Sequence, residues 1–438
     1  MKKFLSYAFF IIAWNVSDLN HCLSATTVFL SPEDRPIFQA ALKSASDGNW
    51  NIAKTTIELC HGSLPKVILE WLFLSEAKQN ITPERIAKFL KTYPNWPNEI
   101  VLRYKLEQAL MSDIRSSIAT QWLERNAPET YQGKVQFIEI LIEKKNFFEA
   151  TKVIKSIWLN RNFSPIEERN FLKRYGEMLS AEEHNERLDN LLWQSRTTEA
   201  RRMLPRVTAD IRSLSVARIY LLENHPDVDL AISKIPVFLL DHPGLIFERV
   251  RWRIRANKHE SARALLFSLP RSLPHHAKWW KEINYQIRES IDEGLVSDAF
   301  RLAVVGSELE GHSAIQASWM AGWIALEFLD EPEIALPYFE RMLQEVSMPI
   351  SLARAAYWAG KSAANFDNHS LASYYFEKAA NHKTTFYGQL AAKRVTLTAS
   401  AIFEGTREKN FANTKVGQSN LVRAAEMFGE VGEAGLMK

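Results

Sequence analysis

The chain is poor in the residues that turn or staple a polypeptide. Its 438 residues include 16 glycines, 17 prolines and two cysteines. A chain of this length built on strands and hairpins uses more turn residues, so the shortage argues for helices. Cys22 and Cys60 cannot frame a disulfide scaffold, and Cys60 on the segment Ile52–Cys60 reads as a small core residue. A charge bias is also missing: 54 basic residues against 51 acidic give +3. That excludes a nucleic-acid-type bias over the whole chain and leaves local patches open. There is no CxxC, no HExxH, no glycine-rich phosphate loop and no nucleophile elbow. His275 and His276 are adjacent, so on a helix they point about 100° apart and do not share a metal easily. No cofactor or metal site is expected, and no catalytic residue can be assigned.

Long hydrophobic runs are absent too. The apolar stretch Phe4–Ala13 is about half of the roughly 20 residues a membrane span needs. Lys2 and Lys3 precede it, and Leu23-Ser24-Ala25 offers a small-residue cleavage site. Residues 1–25 therefore read as an export signal, with a buried N-terminal helix as the alternative. Once the signal is removed, no membrane span is expected.

What is present is a large apolar fraction, 46% of the chain, enough for a sizeable core and more than one domain. A local pattern recurs: a polar turn, a residue or two, an alanine, then a bulky apolar residue. The alanines are Ala53, Ala87, Ala119, Ala150, Ala200, Ala231, Ala262, Ala299, Ala335 and Ala372. Successive members are 31–37 residues apart, except for the 50 between Ala150 and Ala200. Tetratricopeptide-like helical hairpins repeat at about 34 residues. The physical reason is that one hairpin cannot bury its own apolar face, and a small alanine lets stacked helices approach.

The long interval predicts an irregular hairpin around Phe163–Leu192, with a capping box at Ser180-Ala181-Glu182-Glu183 marking a fresh helix start. Glu167-Glu168 and Glu182-Glu183 read as solvated faces near helix starts. Prolines are expected at helix edges, as at Pro83, Pro94, Pro226, Pro243 and Pro337. Residues 405–419 read as loop, and Asn420–Glu430 as a helix with no closing element after it.

The one notable charged tract is Glu248–Arg255. On a helix, Arg249/Arg253 and Arg251/Arg255 form two i,i+4 rows on one broad side, with Val250 and Ile254 opposite. These four arginines are the candidate substrate-binding residues, for an anionic polymer or a carboxylate-rich peptide. The competing reading is a set of structural Arg–carboxylate pairs between hairpins. Trp279-Trp280, Trp319/Trp323 and Tyr374/Tyr375 are either sugar-stacking platforms or core.

The wording of certain segments carries a resemblance. They are Ala317–Pro332 (ASWMAGWIALEFLDEP), Ala335-Leu336-Pro337-Tyr338-Phe339, Ala353–Gly360 (ARAAYWAG), Thr384–Ala392 (TTFYGQLAA), His242-Pro243-Gly244-Leu245 and Arg251-Trp252-Arg253. Together they resemble the soluble lytic murein transglycosylase family of the alphaproteobacterial type, over roughly Asn49–Glu430. The resemblance implies a right-handed α-superhelix of TPR-like hairpins closing into a ring or horseshoe. It implies a U-domain at 26–345 and a truncated linker domain at 346–438. It also implies a periplasmic location and peptidoglycan glycan strands as partner.

The family cleaves the MurNAc–GlcNAc bond without water, using one Glu in an E-S-x-[FW] motif of a lysozyme-like domain. Here Glu260-Ser261 and Glu289-Ser290 share only two letters of that motif, and Gly435-Leu436-Met437 shares three of a second motif, G-L-M-Q. The lysozyme-like catalytic domain is therefore expected to be absent and this chain alone inactive; one version of this reading has that domain separately encoded. The alternative from another class is a TPR-like protein-interaction scaffold that does not act on cell wall.

Overall fold

A computed structural model describes residues 29–76, 81–110, 122–123, 125–270, 272–395, 414–433 and 435. Among them are 22 α-helices and no strands. The expected signal at 1–25, Cys22, Ala119 and most of the predicted 405–419 loop lie outside the described residues.

The first six helices are α1 (Asp34–Ser46), α2 (Trp50–Ile57), α3 (Ser63–Glu76), α4 (Pro83–Thr92), α5 (Glu99–Leu110) and α6 (Tyr131–Glu143). Next come α7 (Phe147–Asn160), α8 (Pro165–Tyr175), α9 (Ala181–Trp193), α10 (Thr197–Met203), α11 (Ala209–Glu223), α12 (Val228–Ser233), α13 (Pro243–Arg255) and α14 (His259–Leu266). The remainder are α15 (His276–Asp292), α16 (Val296–Ser307), α17 (His312–Glu327), α18 (Pro332–Glu345), α19 (Pro349–Asn365), α20 (His369–Ala380), α21 (Phe386–Arg394) and α22 (Asn420–Glu430). Among the described residues no helix is long and apolar enough to cross a membrane.

The chain packs as two compact units. One is Met1–Lys144 with Thr406–Lys438, the other Lys145–Gly405. The division falls at 144/145 and 405/406 and not at the expected 345/346, where α18 and α19 pack directly on each other.

The first unit brings both ends of the described chain into one core. Phe38, Ile68, Leu72, Phe73, Phe89, Leu102 and Leu106 are buried together with Met427 and Phe428 of α22. The Phe38 and Phe428 rings lie 6.2 Å apart. The Glu430 carboxylate accepts the N–H of Phe29 (2.6 Å) and Leu30 (3.3 Å) and pairs with Arg35 at 3.0 Å. The helix that sequence left without a closing element thus closes against α1 and α3. Cys60 belongs to this core, and burial pushes its thiol up to about 11.

The second unit is a run of antiparallel hairpins: α9/α10, α11/α12, α13/α14, α15/α16, α17/α18 and α19/α20. Their first helices touch in series, α9 to α11 to α13 to α15 to α17 to α19, and on to α21. The repeat anchors Ala200, Ala231, Ala262, Ala299, Ala335 and Ala372 each stand fourth in the second helix of a hairpin, and all are buried. An alanine at that point places only a methyl group between the helices, so the backbones close in. Each hairpin turn also has one residue in the left-handed region: Ser195, Asn224, Asn257, Gly294, Asp330 and Asp367. Gly, Asn and Asp tolerate that conformation at least cost, which is why these turns are polar and short.

The irregular hairpin expected around Phe163–Leu192 is present as α8 and α9, and the extra helix accounts for the 50-residue interval. Both α8 and α9 start with full capping boxes, Ser164 with Glu167 and Ser180 with Glu183. Glu168 and Glu183 are not solvated. Each is buried and neutralised across helices, Glu168 by Arg202 at 3.0 Å and Glu183 by Lys155. Pro337 lies inside α18, not at its edge. There it has no N–H to give the carbonyl of residue 333.

Candidate functional site

The arginine tract lies on α13, which begins with Pro243 in its first turn and His242 as cap, its Nδ1 accepting the Gly244 N–H at 3.2 Å. Arg251 reaches across to α15, with its Nε 3.5 Å from Glu282 Oε1 and Nη1 3.7 Å from Glu248 Oε2. Arg255 donates to the Leu221 carbonyl at 2.7 Å and the Asn224 side-chain oxygen at 3.3 Å. It therefore satisfies the C-terminal end of α11, where carbonyls are left over and the helix dipole favours a cation. Arg249 and Arg253 make no ion pair or side-chain hydrogen bond among the described residues. Burial pulls the Arg253 guanidinium below its usual range, Arg249 adds to that, and Asp229 of α12 opposes it. The two rows thus meet different neighbours, and the Arg251/Arg255 row holds hairpins together.

Beneath this tract lies a buried charge cluster. Arg218 and Glu248 are each 1% exposed. Arg218 pairs with Asp189 and lies over Trp193 at 5.5 Å. Gly244 makes room for it: a Cβ there would sit 2.4 Å from the Arg218 guanidinium carbon. Burial pushes the Glu248 carboxyl up to about 7, against the pull of Arg218, Arg251 and Arg255. Its Oε2 accepts no hydrogen bond. A carboxyl sealed to this degree does not meet a substrate, so the cluster organises α9, α11, α13 and α15 and is not a reacting group.

A second group is partly exposed. It spans α17, α19 and α21, three successive first helices. Trp319 and Trp323, one turn apart, stack with centroids 5.8 Å apart and an interplanar angle of 7°. Trp319 meets Trp358 edge-on at 6.2 Å, and Trp358 meets Tyr387 at 6.4 Å. Tyr357 packs on Tyr387 at 5.4 Å, and Phe386 beside it is 67% exposed. Trp319, Trp323, Tyr357, Trp358 and Tyr387 are all partly buried.

The Arg354 guanidinium lies over the Trp319 ring at 4.7 Å, a cation–π contact. Lys361 Nζ lies over Trp358 at 4.8 Å and pairs with Glu327 at 2.5 Å. Burial pulls the Arg354 guanidinium below its usual range, and Tyr387 partly offsets this.

The backbone positions these side chains because small residues line the other faces of the same helices. Ala317, Ala321, Ala325, Ala353, Ala356, Ala359 and Ala363 are fully enclosed. A Cβ on Gly388 would sit 2.1 Å from the His382 carbonyl oxygen, so only glycine lets α21 start where it does.

Of the aromatic pairs singled out by sequence, only Trp319/Trp323 is stacked, with both rings partly buried. Trp279 is buried at 0% in the core with Trp280 partly buried against it, and Tyr375 is buried with its hydroxyl on Glu340 at 2.5 Å. Arg354, Trp358 and Tyr387 were missed as site residues, although a signal existed. Arg354 has Ile350, Ser351, Tyr357 and Trp358 at its i±3 and i±4 positions, so no acid on its own helix can neutralise it.

Among the described residues, no group of three or more His, Cys, Asp or Glu could hold a metal ion. The geometry offers stacking surface and hydrogen-bond donors.

No protein-family model matches the chain, and no curated protein matches it. Solved structures with some likeness include the TPR domain of P58(IPK), at 13% identity over 83% of this chain and 97% of that one, with a TM-score of 0.24. Another is a circular tandem repeat protein with a novel repeat topology, at 14% identity over 92% and 85%, with a TM-score of 0.11. At such scores neither carries weight, and the assignment of an all-α array of TPR-like hairpins rests on the hairpins themselves.

Proposed function

We propose that the second unit is an interaction scaffold: a stack of helical hairpins whose first-helix face receives an extended ligand, with recognition and not bond chemistry as its task. The observation that supports this most is the continuous band Trp319–Trp358–Tyr387. Three successive first helices each contribute a partly exposed ring, and the rings touch. A ligand lying along such a band meets one hairpin after another, which is how stacked repeats recognise extended partners. Aromatic and arginine side chains are also the types that anchor interfaces.

A second reading is that the extended ligand is a peptidoglycan glycan strand in the periplasm. The flat Trp319/Trp323 pair favours it, because sugar rings stack on such surfaces, and so does the resemblance to lytic transglycosylases. On that reading the chain binds and a separate lysozyme-like domain cleaves.

The test uses the full chain with two probes: a random 12-residue peptide display library and purified sacculi. The scaffold reading expects peptides that bind saturably and lose about tenfold in affinity in the double variant Phe386→Ser with Tyr387→Ser. Retention on sacculi with no selected peptide moves the assignment to the glycan reading. Binding to neither rejects both.

A further inference from the structure

We propose that Arg354 is the anion-binding point of the band, and that the occupant is an extended peptide carrying an acidic side chain. This rests on the scaffold reading and specifies its ligand.

Many arginines elsewhere in this unit are met by oxygen atoms of a neighbouring element. Arg187 donates to the Trp158 and Arg161 carbonyls, Arg202 pairs with Glu168, Arg218 with Asp189, and Arg263 with Glu293. Arg251 bridges Glu248 and Glu282, and Arg255 caps α11. Each of these guanidinium groups has oxygen atoms to bond, whereas Arg249 and Arg253 on the outer row of α13 do not among the described residues. Arg354 has none among the described residues. It makes no ion pair and no hydrogen bond, its Nε is buried without a partner, and its one packed neighbour of note is the Trp319 ring.

A guanidinium carries five donors in a planar fork that suits a carboxylate, and leaving it partly desolvated with nothing to bond is costly. Of its neighbours the indoles are donors only, and the Tyr387 hydroxyl makes no hydrogen bond to it among the described residues. Trp319 Nε1 and Trp358 Nε1 are also buried without partners. Unfilled indole donors recur in the core at Trp158, Trp193 and Trp279, so the guanidinium carries the assignment and the indoles only agree with it.

The surrounding charge points the same way. Arg394 lies over Tyr357 at 5.9 Å and over Phe376 at 5.3 Å, and it has no ion pair among the described residues. The nearest acid on the band, Glu327, is already taken by Lys361. A ligand approaching here meets net positive charge beside exposed rings, Phe386 and Phe328, which are 67% and 43% exposed. The rings suit apolar side chains on either side of the acidic one, and that combination describes a peptide better than a free small anion.

The probe is an acetylated, amidated peptide of alternating leucine and glutamate, nine residues long. Its glutamine counterpart serves as the neutral control. A glutamine peptide with a free C-terminus separates a side-chain carboxylate from a terminal one. Binding is followed by tryptophan fluorescence of the full chain. The glutamate peptide is expected to bind at least tenfold tighter than either glutamine peptide. Arg354→Gln should abolish that preference, Arg354→Lys should keep part of it, and Arg341→Gln on α18 should leave it intact. Equal binding of the three peptides, an unchanged preference in Arg354→Gln, or no saturable binding of the glutamate peptide overturns the proposal. If library-selected peptides still bind the band in that case, the scaffold reading survives and only the acidic specificity falls.

Discussion

Replacing Gly322 by alanine probes the close approach that holds the hairpins together. A Cβ at 322 would lie 2.7, 2.8 and 3.0 Å from three atoms of the Phe339 ring. That ring is 0% exposed and stacks on Trp358 at 6.1 Å, so it has no free direction of retreat. Overpacking a core of this kind costs about 1–3 kcal/mol. Alanine in place of glycine in a helix interior returns about 1 kcal/mol. The net expectation is a loss of about 1 kcal/mol. Phe339→Leu removes the ring atoms that clash, at its own cost. In that background Gly322→Ala should become neutral or stabilising by up to about 1 kcal/mol, for a coupling of about 1–2 kcal/mol. Urea unfolding of the four proteins reads this from the midpoints, provided the slope is unchanged. An equal effect of Gly322→Ala in both backgrounds would refute the packing argument.

Two further outcomes follow from buried groups. Glu248 has its carboxyl raised from 4.5 to about 7 by burial. The folded chain therefore holds a proton that the unfolded chain releases, and stability should fall as pH rises from about 4.5 through 7. Glu248→Gln should remove up to about 3 kcal/mol of that slope, measured by urea midpoints at pH 4.5 and 8; an unchanged slope contradicts the assignment. In the first unit, Phe428→Ala empties a site 3% exposed against Phe38. It should cost about 3–5 kcal/mol and speed amide exchange in α1 and α3, whereas unchanged exchange there would mean that α22 is not part of that core.

The hairpins were legible because their signals are local. The alanine spacing from Ala200 to Ala372 became the fourth residue of each second helix, and the polar turns became its left-handed residues. The long interval announced an extra hairpin, which is α8 and α9, and the capping box at Ser180 marked the start of α9. Charge was far less legible. Whether Glu168 or Arg251 faces water depends on Arg202 and Glu282, residues more than thirty positions away, and no periodicity encodes that pairing. The same holds for α22, whose place beside α1 is set by Glu430 meeting backbone N–H groups some 400 residues distant. Of the four arginines chosen by sequence two are bound to neighbouring helices, and the partly buried Arg354 stood within a motif noticed for its alanines.

The central claim is that the first-helix face of the second unit is the recognition surface. Amide hydrogen exchange of the full chain, free and bound to a library-selected peptide, tests it most directly. The account predicts slowed exchange in α17, α19 and α21, with the second helices α18 and α20 unchanged. Protection confined to α18 and α20, or absent from all five, would contradict it.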